Sequence, residues 1–479
     1  MRDAVEAGLA LLSVGQADDV RRMLAYAMAT QRADGGWPQN GLPDGRAFWA
    51  GVQLDEVGFP ILLAAKLDEN GALDGLKGVG AMILAAAGYL ARNGPISPQD
   101  RWEENPGISP FTLGIEIVAL VAAADRLPTV DRLYALSLAD YWNERLEDWT
   151  YVESGAFIEE FGVEGHYVRI APAMADGGLC GRVDVRNRVG EGVPAVSLIG
   201  MEYIYLPRLG LRDPRDPRIQ NTLKITDSVL KVETPHGIAY HRYNADGYGE
   251  HEDGRAFDGT GIGRAWPLLT GERGYLDALL GIDPLPYLEM MTRMTGPGGL
   301  IPEQVWDGPA IPARGLEPGK PTGSAMPLVW AHAEFLNLLA ARHYARPPKL
   351  LASVEQRYQA RRPVAATWHR RRTEPFARLP SGRNLLIKNV VAFRLHHGFD
   401  GWRDVTDRQS EPQGLGMHGV RLNADVLLGH ATIEFSLYFP ESDSWEGEDH
   451  HIALGETGRT AQLTKAGPLR PEETPLGDG

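Results

Sequence analysis

The sequence predicts a mainly α-helical protein, a ring of helical hairpins followed by a small β-sandwich. Three observations predict it. Residues 1–345 contain eleven windows in which apolar side chains recur about every 3.6 residues. The connections between those windows alternate between short and long. Beyond about residue 363 the apolar period shortens to two and turn residues punctuate each run.

The helical windows are 3–14, 17–32, 55–67, 72–92, 110–127, 129–150, 196–207, 216–231, 262–281, 283–295 and 323–343. Ser109-Pro110, Asp216-Pro217 and Asp283-Pro284 each set a capping side chain before a proline, whose missing N–H costs nothing in a first turn. The gaps 14–17, 67–72, 127–129, 207–216 and 281–283 are short, so they join antiparallel neighbours. The gaps 32–55, 92–110, 150–196, 231–262 and 295–323 are long and hold most of the Trp, Gly, Pro and charged residues. Hairpins with short turns at one end put all long loops at the other, where a binding face is expected. An even ring needs an even number of helices, and eleven is one short; the window 3–14 reads as the second half of a pair.

Residues 346–362, with Arg346-Pro347-Pro348-Lys349 and Arg361-Arg362, read as a linker. The sandwich is expected over 363–455, with strands at 366–371, 384–388, 391–397, 416–422, 432–439 and 450–454. Residues 456–479 lack any period and read as a disordered tail.

Composition narrows the function. The 479 residues carry a net charge of -15, which repels nucleic acid and anionic lipid and suits a neutral substrate such as a sugar. No apolar run approaches the ~20 residues that cross a bilayer. The first residues place acids where a signal peptide would be apolar, so the chain as given reads as cytoplasmic. Cys180 is the single cysteine, so no intrachain disulfide or cysteine zinc cluster can form. It reads as a small buried apolar side chain rather than a nucleophile. The pairs His396-His397 and His450-His451 have no third ligand at a useful spacing, so no metal and no cofactor is expected. The GTGIG run at 259–263 lacks the strand and lysine of a phosphate loop.

Two long loops carry the candidate chemistry. The loop 93–110 presents Asp100, Arg101, Trp102, Glu103 and Glu104 just before a helix. An adjacent acid pair there is, taken alone, more often a solvated charge favoured by the helix dipole. Trp102 argues otherwise, because a tryptophan among loop charges needs something to pack on, and sugar C–H faces suit it. The loop 296–308 presents Glu303 between Pro302 and Gln304, and alone it is more often an exposed acid. The ring couples the two. Glu103 and Glu303 lie on one rim, and two carboxyl groups across one pocket are what glycoside hydrolysis needs, one protonated and one ionised. Glu104 and an apolar wall would raise the pKa of the acid. Trp37, Trp49, Gln53 and Asp55 from the loop 33–55 add sugar-binding groups. So do His241, Arg242, Tyr243, Asp246, Tyr248, Glu250 and Asp258 from 231–262. Trp266 reads as core.

The segments GRAFWAGVQLDEVGFPILLA, PISPQDRWEENPGISPFTLGIEIVALVAAA, HRYNADGYGE, FDGTGIGRAWPLLTGERG, GLIPEQVWDG and TGSAMPLVWAHAEFLNLL resemble, in order and over about 2–342, the bacterial-type glucoamylases of glycoside hydrolase family 15. The resemblance implies an (α/α)6 barrel and an α-glucan or oligosaccharide substrate. It implies that Glu103 is the general acid and Glu303 the general base. It places Asp100 and Glu104 around the sugar and Trp49 as an aromatic platform. Asp55 lies in its QLDE segment, Arg242 matches a substrate-binding arginine, and Arg2-Asp3 matches a pair that holds sugar hydroxyls. Family members carry a further helix, and usually a β-sandwich, before that pair, so the resemblance implies that this ring lacks its first outer helix.

The expected activity is inverting release of glucose from non-reducing ends of α-1,4-glucans. A glucodextranase or trehalase-like specificity would use the same fold. A glucan-binding protein would keep Trp49 and Trp102 and need neither glutamate. A phosphorolytic enzyme would need one carboxylate and a phosphate pocket, and Glu303 argues against it.

Overall fold

The protein was analysed as a computed structural model, which describes residues 1–173, 176–344, 350–358 and 364–455. Helices α1 (Arg2–Ser13), α2 (Ala17–Thr30), α3 (Leu54–Glu69), α4 (Val79–Asn93), α5 (Pro110–Ala123) and α6 (Thr129–Thr150) come first. There follow α7 (Ala156–Phe161), α8 (Tyr205–Arg208), α9 (Pro217–Val229), α10 (Pro267–Leu279), α11 (Leu285–Arg293) and α12 (Val329–Tyr344).

Burial sorts them into two layers. In α3, 12 of 16 residues are buried, and in α5, 13 of 14. A helix apolar nearly all round must be enclosed. In α2 only Val20, Leu24 and Ala27 are buried, so it faces the core with one stripe. The inner layer runs α1, α3, α5, α8, α10, α12 and closes, because α12 packs on α1. The outer layer is α2, α4, α6, α9 and α11. Among the described residues no helix fills the sixth outer position, between α12 and α1. This is the ring of eleven helices that the spacing predicts and the (α/α)6 barrel that the resemblance implies.

The caps form as the sequence predicts. Ser109 Oγ accepts from Thr112 N at 3.2 Å and Asp216 Oδ1 from Arg218 N at 2.9 Å, each worth about 1 kcal/mol. Asp283 Oδ1 accepts from Leu285 N at 3.1 Å.

Four windows need correction, of which 262–281 and 323–343 only start too early, since α10 begins at Pro267 and α12 at Val329. Residues 72–78 form turns, and α4 starts only at Val79. Gly75 and Gly78 there have φ of 82° and 91°, which helical residues cannot adopt. Of the window 196–207, only Tyr205–Arg208 and short 3-10 turns are helical. Pro207 cannot donate to the carbonyl of Tyr203, and a Cβ on Gly200 would meet Glu202 Oε2 at 2.1 Å. Cys180 is exposed, not buried, because it ends the surface turn Gly178–Cys180.

The described part of the expected linker is not free chain. Helix α13 (Ala352–Tyr358) packs on α5, and Arg357 Nε donates to Asp140 at 2.7 Å. Residues 345–349 and 359–363, and the tail 456–479, lie outside the described residues.

The C-terminal region is a two-sheet sandwich. One sheet orders Glu411–Gly414, Met417–Leu422, Asn384–Asn389 and Thr367–Arg370. The other orders Arg378–Leu379, His450–Leu454, Thr432–Phe439, Arg394–Phe399 and Arg403–Gln409, with Ser444–Trp445 beside Thr432–Phe439. Its core, including Leu385, Leu395, Ile433 and Ile452, is continuous with that of the barrel. It sits on α6, where Tyr141 stacks on His369 at 5.3 Å and Trp142 Nε1 donates to Glu374 Oε2 at 3.1 Å.

Candidate active site

The rim segment before α5 is a tight turn stapled by one buried acid. Asp100 Oδ1 accepts from Glu104 N at 3.0 Å and Asn105 N at 3.3 Å, while Glu103 N donates to Asp100 O at 2.9 Å. Arg169, from the 151–204 loop, binds the other oxygen of Asp100, and it reaches Asn105 Oδ1 at 2.9 Å and Glu104 Oε2 at 3.0 Å. The turn forces Glu103 to φ 65°, a left-handed conformation that side chains other than Gly, Asn and Asp seldom adopt. Such strain, on the order of 1–3 kcal/mol, persists where surroundings over-determine it, and it clusters at functional sites. The Glu103 side chain is 44% exposed, with Arg2 Nη2 at 3.9 Å from Oε1.

Glu303 is held by backbone instead. Glu303 N donates to Ala325 O at 2.8 Å, Gln304 N to Ser324 Oγ at 3.0 Å and Val305 N to Ala265 O at 2.9 Å. Tyr248, from the 230–266 loop, donates its hydroxyl to Glu303 Oε2 at 3.3 Å. That loop folds tightly on itself: a Cβ on Gly261 would meet Gly249 O at 1.9 Å, and one on Gly263 the Asp246 Cβ at 2.4 Å. The GTGIG run is thus a backbone-packing device.

Glu103 and Glu303 are linked through two residues: Arg242 binds Glu104, next to Glu103, at 2.7 Å and lies 4.9 Å over Tyr248, which binds Glu303. Tyr248 feels the charges of both Glu303 and Glu103, and Asp3 acts on both carboxyls. Burial pushes the Glu103 carboxyl above its ordinary value; Arg2 pulls it down, while Glu56 and Asp3 push it further up. Burial also raises Glu303, but Arg242, the Tyr248 hydroxyl and the Ala325 N–H all pull the other way. Both carboxyls therefore lie above their ordinary value, each pushed up by burial and Asp3 and pulled back by an arginine, with the Tyr248 hydroxyl a further donor to Glu303.

Around them, Glu104 is the hub of a charge network. It binds Arg242 Nη2 at 2.7 Å, Tyr243 Oη at 2.6 Å and Asn187 Nδ2 at 3.1 Å. Burial would raise its pKa, yet Arg242 and Arg169 hold it below the usual carboxylate value. Arg242 is clamped by Asp246 at 2.7 and 2.6 Å, and lies 4.9 Å over Tyr248 and 5.2 Å over Trp102. Arg2 donates to Gln53 Oε1 at 2.5 Å and Asp55 Oδ2 at 3.1 Å, under Trp330. Asp3 is half exposed beside it. Trp49 and Phe48 stand out on the 40–49 hairpin, rings 5.7 Å apart, exposed by 56% and 66%.

Many of the expected sugar contacts are buried instead, among them Arg2, Trp37, Gln53, Arg242, Tyr243 and Glu250, and three of the others show why. Trp102 is 6% exposed, because its Nε1 donates to Glu202 at 2.8 Å and its ring packs on Trp266 and Trp330. Asp55 is fully buried, bound to Arg2 and to Thr112 Oγ1 at 3.2 Å, and burial raises its pKa to about 6. Asp100 is the staple described above. These residues support the site from below. Trp266 is core, as expected. Sequence reasoning missed Arg169; Arg101, which it named, is buried and pairs with Glu272 at 3.0 Å and Glu202 at 3.3 Å. Isolated arginines outside any motif carry no signal of the partner that will bury them.

No group of three or more His, Cys, Asp or Glu among the described residues could hold a metal, and no described helix is long and apolar enough to cross a membrane.

A closed inner ring of six helices inside an outer layer, with acid-bearing loops before α5 and α12, is the architecture of a sugar-processing barrel. The family model of the glycosyl hydrolases family 15 matches residues 32–340, and the chain belongs to that family. A glucoamylase of Clostridium sp. (strain G0005) is 35% identical over 366 residues, which is 75% of this chain and 49% of that protein. A bacterial glucoamylase crystallised with acarbose has a TM-score of 0.67 at 34% identity, covering 74% of this chain and 50% of that one. The chain thus spans about half the length of these two relatives. A family 15 glucoamylase of Hypocrea jecorina shares the fold at a TM-score of 0.50 and 14% identity, covering 95% of this chain and 89% of that one.

Proposed function

We propose that this chain is the catalytic part of an inverting exo-glucosidase that releases glucose from the non-reducing ends of α-1,4-glucans. The observation that carries the proposal is geometric: Arg242 binds Glu104, the residue beside Glu103, at 2.7 Å and lies 4.9 Å over Tyr248, whose hydroxyl binds Glu303 at 3.3 Å. In this reading Glu103 gives its proton to the glycosidic oxygen as the C–O bond breaks. Glu303 takes a proton from a water that attacks the anomeric carbon from the opposite face, leaving β-glucose. Arg2, Asp3 and Arg242 hold hydroxyls of the terminal sugar, and Trp49 stacks under the next one.

The deciding experiment is proton NMR of the first-formed sugar from maltose. β-Glucose appearing first is expected, and α-glucose appearing first overturns inversion. Binding of maltose without turnover would instead fit a non-catalytic glucan-binding protein. Parallel assays on isomaltose, panose and trehalose fix the linkage.

A further inference from the structure

One arginine of the β-sandwich reaches the root of the loop that carries Glu103. Arg371 follows the strand Thr367–Arg370 and opens a turn closed by Glu374 N, which donates to Arg371 O at 3.0 Å. Its Nη1 donates to Arg92 O at 2.6 Å and its Nη2 to Gly94 O. These carbonyls lie at the C-terminal end of α4, where the helix has no donor of its own to offer and its dipole favours a cation. Behind the guanidinium stands a chain of buried charges. Arg371 Nε lies 2.6 Å from Glu374 Oε1, and Lys388 Nζ lies 3.0 Å from the same oxygen.

Gly94 is enclosed on two further sides. A Cβ there would meet Glu116 Oε2 of α5 at 2.1 Å and Trp142 Cη2 of α6 at 2.6 Å. Glu116 is fully buried, and neither of its carboxyl oxygens has a hydrogen-bond partner among the described residues. Burial pushes it well above its ordinary pKa, Asp55 and Glu374 push it further, and Arg371 pulls it back. From Gly94 the chain is tied to Glu103 in short steps. Ser97 and Gly107 exchange backbone hydrogen bonds at 2.9 Å each. Ser97 Oγ donates to Gln99 O at 2.5 Å, and Gln99 Nε2 donates to Glu103 O at 3.4 Å.

Stability alone does not account for this cluster. The sandwich and the barrel already share one apolar core, and apolar residues of the same volume are often as stable as buried ion pairs. A guanidinium adds direction: its planar fork holds two carbonyls at once in one geometry.

We propose that Arg371 is a positioning residue for the general acid: by pinning the root of the loop 94–107, the β-sandwich sets the reach of Glu103 toward the glycosidic oxygen. The inference rests on the reading of Glu103 as the acid. Proton transfer needs the carboxyl within hydrogen-bond reach of that oxygen, so a small shift of the loop is felt in the chemical step.

The test reads leaving-group dependence in the full chain. Maltose needs a proton on its departing oxygen. In α-glucosyl fluoride the C–F bond breaks and fluoride departs without one, while Glu303 still takes the proton of the attacking water. Arg371→Met is expected to lower kcat on maltose by about 10²-fold with KM unchanged, the cost of a misplacement of about 1 Å. Hydrolysis of α-glucosyl fluoride is expected to stay as it was. Arg371→Lys, which keeps the charge and a donor, is expected to recover part of the loss. Arg357→Met loosens α13 from α6 and not this loop, and it is expected to leave both substrates unaffected. Amide hydrogen exchange is expected to accelerate over 94–107 in Arg371→Met and not over 296–308. Should Arg371→Met fail to fold, Arg371→Gln reads the same quantities. An equal loss on the two substrates overturns the proposal, as does unaltered exchange over 94–107 or the same maltose-selective loss in Arg357→Met. Glu103→Gln separates the reading beneath it: a loss equal on both substrates there sinks Glu103 as the acid, while faster exchange over 94–107 in Arg371→Met would leave the pin standing.

Discussion

The two acid-bearing turns of the rim are built in opposite ways. The turn at Glu103 is stapled by side-chain charges, Asp100 and Arg169, and bends its glutamate into the left-handed region. The segment at Glu303 is zipped by backbone to residues 265 and 325 and leaves its glutamate unstrained. Charge staples let a turn hold an awkward shape, and the acids that act on Glu103 come from elsewhere, Asp3 of α1 and Glu56 of α3. Backbone zippers deliver N–H and O–H donors. We propose that the two divide the labour of acid and base: burial raises both carboxyls, and Tyr248 gives Glu303 a donor that favours its charged form.

The largest expected effects test that division directly. Glu103→Gln and Glu303→Gln should each lower kcat on maltose by about 10²–10⁴-fold, because each removes a proton-transfer group. Steady-state assays check this, and a loss below about tenfold in either removes that residue from the chemistry. Next, Arg169→Met should destabilise the chain by about 3–5 kcal/mol, since it strands two buried acids, Asp100 and Glu104. The matching change on the backbone-zipped side, Ser324→Ala, should cost only about 1 kcal/mol. Urea melts compare the two.

The pH profile sharpens the contrast. The active form needs Glu303 ionised and Glu103 protonated, so kcat/KM should fall as pH drops through the pKa of Glu303 and as it rises through that of Glu103. Burial lifts both, so both limbs should lie above ordinary carboxylate values. Tyr248→Phe removes a donor to Glu303 and should move only the acid limb upward, with a loss of about tenfold near the optimum. An equal shift of both limbs would break the comparison. The smallest effect is on strain. Glu103→Gly should abolish activity yet stabilise the fold by about 1 kcal/mol, because glycine accepts φ 65° freely.

Much of the fold was legible because its signals are local. The period of 3.6, the Ser109-Pro110 and Asp216-Pro217 starts and the alternation of gaps placed ten of the eleven windows. The window 196–207 failed because Gly200 and Pro207 break it, while burial of residues such as Tyr203 and Leu206 gives it an apolar pattern that mimics a helix. The edge strand Arg403–Gln409 was missed because all of its residues are exposed and most are polar, so it has no apolar face to announce it. At the site, Glu103 and Glu303 stood out through motif and loop length. Trp102 and Asp55 were placed against sugar, because sequence reports that a loop holds an aromatic or an acid and not which way it turns.

The sequence by itself determined the helix count, the side on which the long loops gather and the switch to strands, since each is written in spacing along the chain. Only the tertiary structure decided which loop side chains face the pit and which support it. That choice depends on partners far away in sequence: Glu202 for Trp102, Arg169 for Asp100, Tyr248 for Glu303. Charge pairing and desolvation act over a few ångströms of space, and separation along the chain does not encode that distance.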